Sequence, residues 1–241
     1  MKIMAINGSP KKAAGNTERI LAPFMQGAAA AGADCTTVYL YDHEIKPCLG
    51  CYSCWMKTPG ECVIRDDMDT LIEAFRATDI LVIASPLYVC GVSAVTKLFL
   101  DRIIPVADPH IEVLPQGCVH PPRIPNPNAG MLLVSNCGFH EIHHFSPMVE
   151  HIKLTTSISD CKYLGALLRP HGPMLSILEK LNPRAVQAVY AAAREAGGYI
   201  ARGEEIPPKL LTAVSKDLVS RDAYVRGVNE HIDKVLGEAG G

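Results

Sequence analysis

The chain has 241 residues, 48% of them hydrophobic and 20% charged, with a net charge of −2. That composition suits a globular protein, and the near-zero charge excludes the basic field of a nucleic-acid binder. The longest apolar run, residues 80–95, is broken by Ser85, Pro86 and Gly91, which excludes the roughly 20 clean apolar residues of a membrane span. No signal peptide precedes the first strand-like stretch, so the chain reads as cytoplasmic. Thiols in that compartment stay reduced, and a cluster among nine cysteines then points to metal binding or redox chemistry rather than to disulfides.

In chain order, KIMAIN (Lys2 to Asn7) reads as a strand and the apolar-periodic stretch from Glu18 to Ala31 as a helix. CTTVYLY (Cys35 to Tyr41) is β-branched and aromatic, as strands are. Residues 47–65 hold four cysteines and form a loop. A helix follows over Asp66 to Asp79, its first turn acidic and Met68, Leu71, Ile72 and Phe75 at helical spacing. ILVIAS (Ile80 to Ser85) has the continuous apolar run of a strand covered on both faces, and Ser93 to Ile103 reads as a helix. The proline-rich stretch 105–129 is an excursion unable to hold regular structure for long. Gly130 to Asn136 is a strand, Phe145 to Ser157 a helix, and Lys162 to Leu168 a last strand. Asn182 to Arg202 is an alanine-rich helix, and the tail from Pro207 to Leu236 carries one or two more.

Strands alternating with helices imply parallel pairing and right-handed crossovers. The expected fold is a flavodoxin-like, doubly wound α/β sheet of five parallel strands, order 2-1-3-4-5. Residues 1–180 would form the ligand-binding domain, and residues 181–241 a helical extension packed on it. Ligands in such sheets bind at the carboxyl ends of the strands, where the strand order reverses. The loops there are GSPKKAAGNT (8–17), SPLYVCG (85–91) and Asn136-Cys137-Gly138-Phe139. The first has neither the dinucleotide nor the Walker glycine pattern. It offers small polar residues before a helix start, which suits either a phosphate monoester or plain helix capping. The second remains apolar past its strand end, as a flat ring would require, although Tyr88 could equally pack in a core.

GSPKKAAGNT at 8–17, PCLGCYSC…CVIRDDMD at 47–69 and SPLYVCGVSAVTKLFLDR at 85–102 together resemble the flavodoxin-like NADPH-dependent FMN reductases and, among them, the iron-sulfur flavoproteins. The resemblance covers roughly residues 1 to 170 and implies an FMN-dependent oxidoreductase. It implies that Ser9, Lys11, Asn16 and Thr17 hold the FMN phosphate. Pro86, Leu87, Tyr88 and Gly91 would line the ring, and Asn136, Cys137, Gly138 and Phe139 would complete the pocket. It also implies a homodimer or homotetramer, with NAD(P)H or ferredoxin as redox partner.

Cys48, Cys51 and Cys54 repeat the C-x-x-C step of ferredoxin-type cluster ligation, and Cys62 follows after seven residues containing a Pro59-Gly60 turn. A [4Fe–4S] cluster, unmetallated thiols and zinc all remain open. The alternative function is a zinc or thiol site that uses the fold for partner binding without redox catalysis; a pure electron carrier is another. GFHEIHHF (138–145) reads as a polar loop near the pocket mouth, and Arg169 as a solvated strand end. The cysteine loop is expected on the same rim as the flavin, one strand from the switch point.

Overall fold

A computed structural model describes residues 1–115 and 117–239. The elements are β1 (Lys2–Asn7), α1 (Asn16–Ala30), β2 (Asp34–Tyr39), α2 (Ser53–Met56), α3 (Met68–Arg76), β3 (Ile80–Pro86), α4 (Ala94–Arg102), β4 (Glu112–Leu114), β5 (Gly117–Val119), β6 (Gly130–Asn136), α5 (Ser146–Ile158), β7 (Lys162–Arg169), α6 (Met174–Leu181), α7 (Pro183–Ala201), α8 (Pro208–Ser215) and α9 (Arg221–Ala239). Five strands pair in the order β2-β1-β3-β6-β7, every pair parallel. This is the expected flavodoxin-like order once the short β4–β5 hairpin is set aside. Every residue of β3 and β6 is buried, as central strands covered on both faces require.

Side chains alternate between two cores. Ile3, Ala5, Val82, Ala84, Leu132 and Val134 face α1, α6, α7 and α8. Met4, Ile6, Leu81, Ile83, Met131 and Leu133 face α3, α4 and α5. The stripe on α7 folds back onto its own chain, where glycines permit close contact with α1: a Cβ on Gly27 would sit 1.8 Å from the Arg194 carbonyl, and one on Gly197 1.9 Å from that of Phe24. The proline-rich excursion is anchored rather than loose. Besides the hairpin, it carries His120, its ring tilted against Trp55 with centroids 4.8 Å apart, and Arg123, whose Nε donates to the Pro105 carbonyl at 3.1 Å.

Helix α6 was not expected, nor were the three-residue strands β4 and β5. In contrast to the buried α7, α9 is largely exposed, with Tyr224 its one buried residue among those described. Among the described residues, no helix is long and apolar enough to cross a membrane.

Candidate functional site

Three loops meet at the carboxyl ends of β1, β3 and β6. The turn after β1 is tight because Asn7 Oδ1 accepts the Ser9 N–H at 2.9 Å and Ser9 Oγ accepts the Lys11 N–H at 3.3 Å. Gly8 is required for close approach, since a Cβ there would lie 1.9 Å from Thr96 Oγ1. Ser93 Oγ donates to the Gly8 carbonyl at 2.7 Å and lies 2.9 Å from Thr96 Oγ1, which ties the start of α4 to the first loop. Asn136 Nδ2 donates to Thr17 Oγ1 at 2.7 Å, and the Asn136 carbonyl accepts the Leu87 N–H at 2.9 Å. Asn136 therefore joins the other two loops.

The first turn of α1 is left open for an anion. Gly15 caps the helix with no side-chain hydrogen bond, so the first N–H groups remain available, reinforced by the helix dipole. Ser9 and Thr17 are buried beside them, Asn16 is half-buried, and Lys11 is exposed. Glu18, the one acid of that turn, is held by Asn7 Nδ2 at 2.8 Å, and burial pushes its carboxyl pKa up. Hydroxyls, free amides and a flanking lysine fit a phosphate monoester.

The second loop is a two-residue turn in which Tyr88 and Gly91 exchange both backbone hydrogen bonds at 3.0 Å. Its tip residues, Val89 and Cys90, have φ of 48° and 61°. A β-branched residue rarely adopts that region, and such strain collects at binding sites. Pro86 is buried and Leu87 half-buried, whereas Tyr88 is half exposed and Gly91 partly so. In the third loop, Cys137 is buried and its Sγ donates to the Phe139 carbonyl at 3.3 Å, while burial raises the thiol pKa. Gly138 and Phe139 are exposed, and the Phe139 ring stacks on His144 at 4.5 Å. The twelve residues expected to hold a flavin thus fall in three bonded loops, with Lys11, Tyr88, Gly138 and Phe139 turned outward.

The four cysteines also converge. Cys48, Cys51, Cys54 and Cys62 line one cavity of about 320 Å³ with Tyr52, Ile64, Asp101, Arg102 and Ile104. Left-handed backbone at Gly50 and Tyr52 wraps the chain around it. The Gly60 N–H donates to the Cys54 carbonyl at 2.9 Å, closing the turn that returns Cys62. Burial raises the Cys54 thiol pKa, and the negative charge that Cys62, Cys48 and Cys51 would carry raises it further. Cys51 is lowered, chiefly by hydrogen bonding from Ser53. Convergent thiols, two of them exposed, fit a thiolate-ligated cluster or zinc better than core packing.

This site is not on the rim where the three loops meet, contrary to expectation. It lies against the C-terminal end of α4, whereas the N-terminal end abuts Gly8. Nine residues of helix separate the two, roughly 13 Å at 1.5 Å per residue. The loop leaves β2 at the rim but descends beside α4, because Arg102 holds it there through Lys46, Ile64 and Asp66.

Arg169 also departs from expectation. It is fully buried, donating from Nε to the Pro170 carbonyl, from Nη1 to that of Val214 and from Nη2 to that of Lys216, at 2.7–2.8 Å. Burial pulls its pKa down to about 10, and it remains charged. Its Nη2 also lies 2.8 Å from His171 Nε2. His140, His171 and Asp217 bring ligand-type atoms within 4.8 Å of one another, but the adjoining guanidinium opposes a cation there. The histidine run instead secures the C-terminal segment: His140 Nε2 meets the Val219 carbonyl at 3.0 Å, and the Tyr224 hydroxyl donates to that of Gly138.

Residues 1–112 match the family model described as NADPH-dependent FMN reductase. An iron-sulfur flavoprotein of Methanocaldococcus jannaschii is 36% identical over 106 residues, 44% of this chain and 53% of that one. One from Archaeoglobus fulgidus is 38% identical over 105 residues, 44% and 46% of the two chains. The chain spans about half the length of these curated relatives. Among solved structures, the FMN-dependent NADH-azoreductase of Bacillus anthracis in complex with FMN superposes with a TM-score of 0.60 at 17% identity, covering 83% of this chain and 99% of that one; this likeness concerns the fold. The loops that meet at Gly8 and the cysteine segment all lie within the stretch matched to the NADPH-dependent FMN reductase model or bond to it, and that stretch is just under half of the chain.

Proposed function

We infer that this protein is an FMN-dependent oxidoreductase carrying a [4Fe–4S] cluster on its cysteine loop, with NAD(P)H or ferredoxin as redox partner. The observation that carries the flavin assignment is the uncapped first turn of α1, bonded through Thr17 and Asn136 to the two loops that would flank a ring. Bound FMN would supply hydride and one-electron chemistry, and the cluster single-electron transfer. The chain's own residues bind and orient. The amides of Asn16 and Thr17 with the Ser9 hydroxyl would hold the phosphate, Lys11 would add charge, and the turn at Tyr88–Gly91 would present one wall to the ring.

Anaerobically purified protein should release FMN and contain about four iron atoms per chain, the count of a [4Fe–4S] centre. A colourless protein, or one holding zinc, would replace this reading with a thiol or zinc site. Asn16→Ala with Thr17→Ala should lose most of the flavin, and undiminished flavin would remove the phosphate assignment. Cys54→Ala should lose the iron but keep FMN.

The working unit is proposed to be a homo-oligomer. Val225, Val228, Ile232 and Val235 share one face of α9 at coiled-coil spacing, and all but Val228 are exposed. A stable single-chain mass of 26.0 kDa with full activity in light scattering would count decisively against it.

A further inference from the structure

Arg102 has a feature that its structural role leaves unexplained. The side chain is sealed from solvent, as is Asp66. Nη1 donates to Asp66 Oδ2 and to the Lys46 carbonyl, both at 2.7 Å, and Nη2 to Asp66 Oδ1 at 3.0 Å. Nε is buried and has no hydrogen-bond partner among the described residues. A buried N–H left unpaired costs about 1–3 kcal/mol, so folded proteins seldom retain one without a use. Arg102 lines the cysteine cavity, and its guanidinium lies against Cys62. A neutral thiol accepts hydrogen bonds weakly, whereas a metal-bound thiolate or sulfide carries negative charge and accepts them well.

We propose that Arg102 donates the N–H from Nε to the sulfur of Cys62, or to a sulfide beside it, and thereby sets the reduction potential of the cluster. The proposal rests on the reading of the cysteine loop as a cluster site. Reduction adds one electron to the cluster and increases the negative charge on its sulfurs. The hydrogen bond and the nearby cation therefore stabilise the reduced form more than the oxidised form and raise the potential. Asp66 fixes the guanidinium plane through two parallel hydrogen bonds from Nη1 and Nη2, which leaves Nε as the donor not taken up. Its carboxylate offsets part of the charge, so the directed N–H carries the effect. Arg102 is a positioning residue and touches no substrate.

Arg102→Lys keeps a cation for Asp66 but removes the Nε donor. Anaerobic redox titration of the holoprotein should show its cluster reduced tenfold less at a fixed potential, a shift of about 59 mV to more negative values for one electron. Iron and FMN content should match the parent. An unchanged potential with iron retained would overturn the role of Arg102 and leave the cluster assignment intact. Parent protein without iron would overturn both. Should the lysine variant lose its cluster, the parent itself decides: with [15N]arginine incorporated, the reduced cluster should show a hyperfine coupling to arginine nitrogen in pulsed EPR, and absence of that coupling would dismiss the hydrogen bond.

Discussion

Two arginines are sealed inside this protein, one on each side of the sheet, and they retain their charge by opposite means. Arg102 faces a carboxylate. Burial opposes its charge, but Asp66 and Cys62 outweigh burial and hold its pKa above the ordinary value. Among the described residues Arg169 donates to no carboxylate; three backbone carbonyls solvate it, and burial lowers its pKa to about 10. An ion pair fails by stranding a charge, whereas a carbonyl cage fails by freeing dipoles that water can reach. The first region should therefore be brittle and the second forgiving.

Arg102→Met tests the brittle side. It leaves the Asp66 carboxylate buried and unpaired, and should cost about 3–5 kcal/mol in denaturant unfolding. Pairing it with Asp66→Leu should recover much of that loss, since removing both charges from a buried pair is often nearly neutral. Failure of the double variant to recover would mean that the loop needs the guanidinium itself.

Arg169→Met should cost less, about 1–3 kcal/mol, from freed carbonyls of Pro170, Val214 and Lys216. Its damage should be local, with limited proteolysis cutting sooner after β7, around α8 and α9. A loss larger than that of Arg102→Met would reverse the comparison.

The smallest effect is a dependence on pH. Burial, then Arg169 and His140, hold the His171 pKa at about 3, down from 6.5. A depressed pKa means that the folded state favours the neutral ring. The associated stability is complete above pH 6.5 and is lost progressively as the pH falls toward 3. Asp66 is also depressed: burial works against its carboxylate, and Arg102 with the Lys46 and Met68 amides outweighs it. Its contribution begins to fade only near the ordinary value of 3.8. Between pH 6.5 and 4, His171→Asn should therefore flatten the stability profile, and Asp66→Asn should not. Equal slopes for parent and His171→Asn would show that the cage does not feel this ring.

Much of the sheet was legible because its strands are unbroken apolar runs, Ile80 to Ser85 above all. The loops that would hold a flavin were legible because topology alone sends them to one rim. What escaped depends on contacts remote in sequence. Arg169 looked like a surface residue because its carbonyl partners at Val214 and Lys216 lie 45 and 47 positions away. The rim placement of the cysteines failed because spacing describes which thiols can converge, not where the loop travels. Helix α6 follows RPHGP, whose turn signals obscured MLSILEKL. Arg102 left a faint trace: an arginine closing an amphipathic helix, and an aspartate four residues past Cys62.

The cysteine cavity is enclosed unevenly. Ile104, whose carbonyl accepts the Trp55 Nε1–H at 3.1 Å, and sealed Arg102 wall one side, while Cys48 and Cys51 open to solvent on the other. A cluster seated there would have a sheltered half and a weathered half. Dioxygen and a docking protein would approach through the same door, so the face best suited to electron exchange is also where air would begin to dismantle the centre.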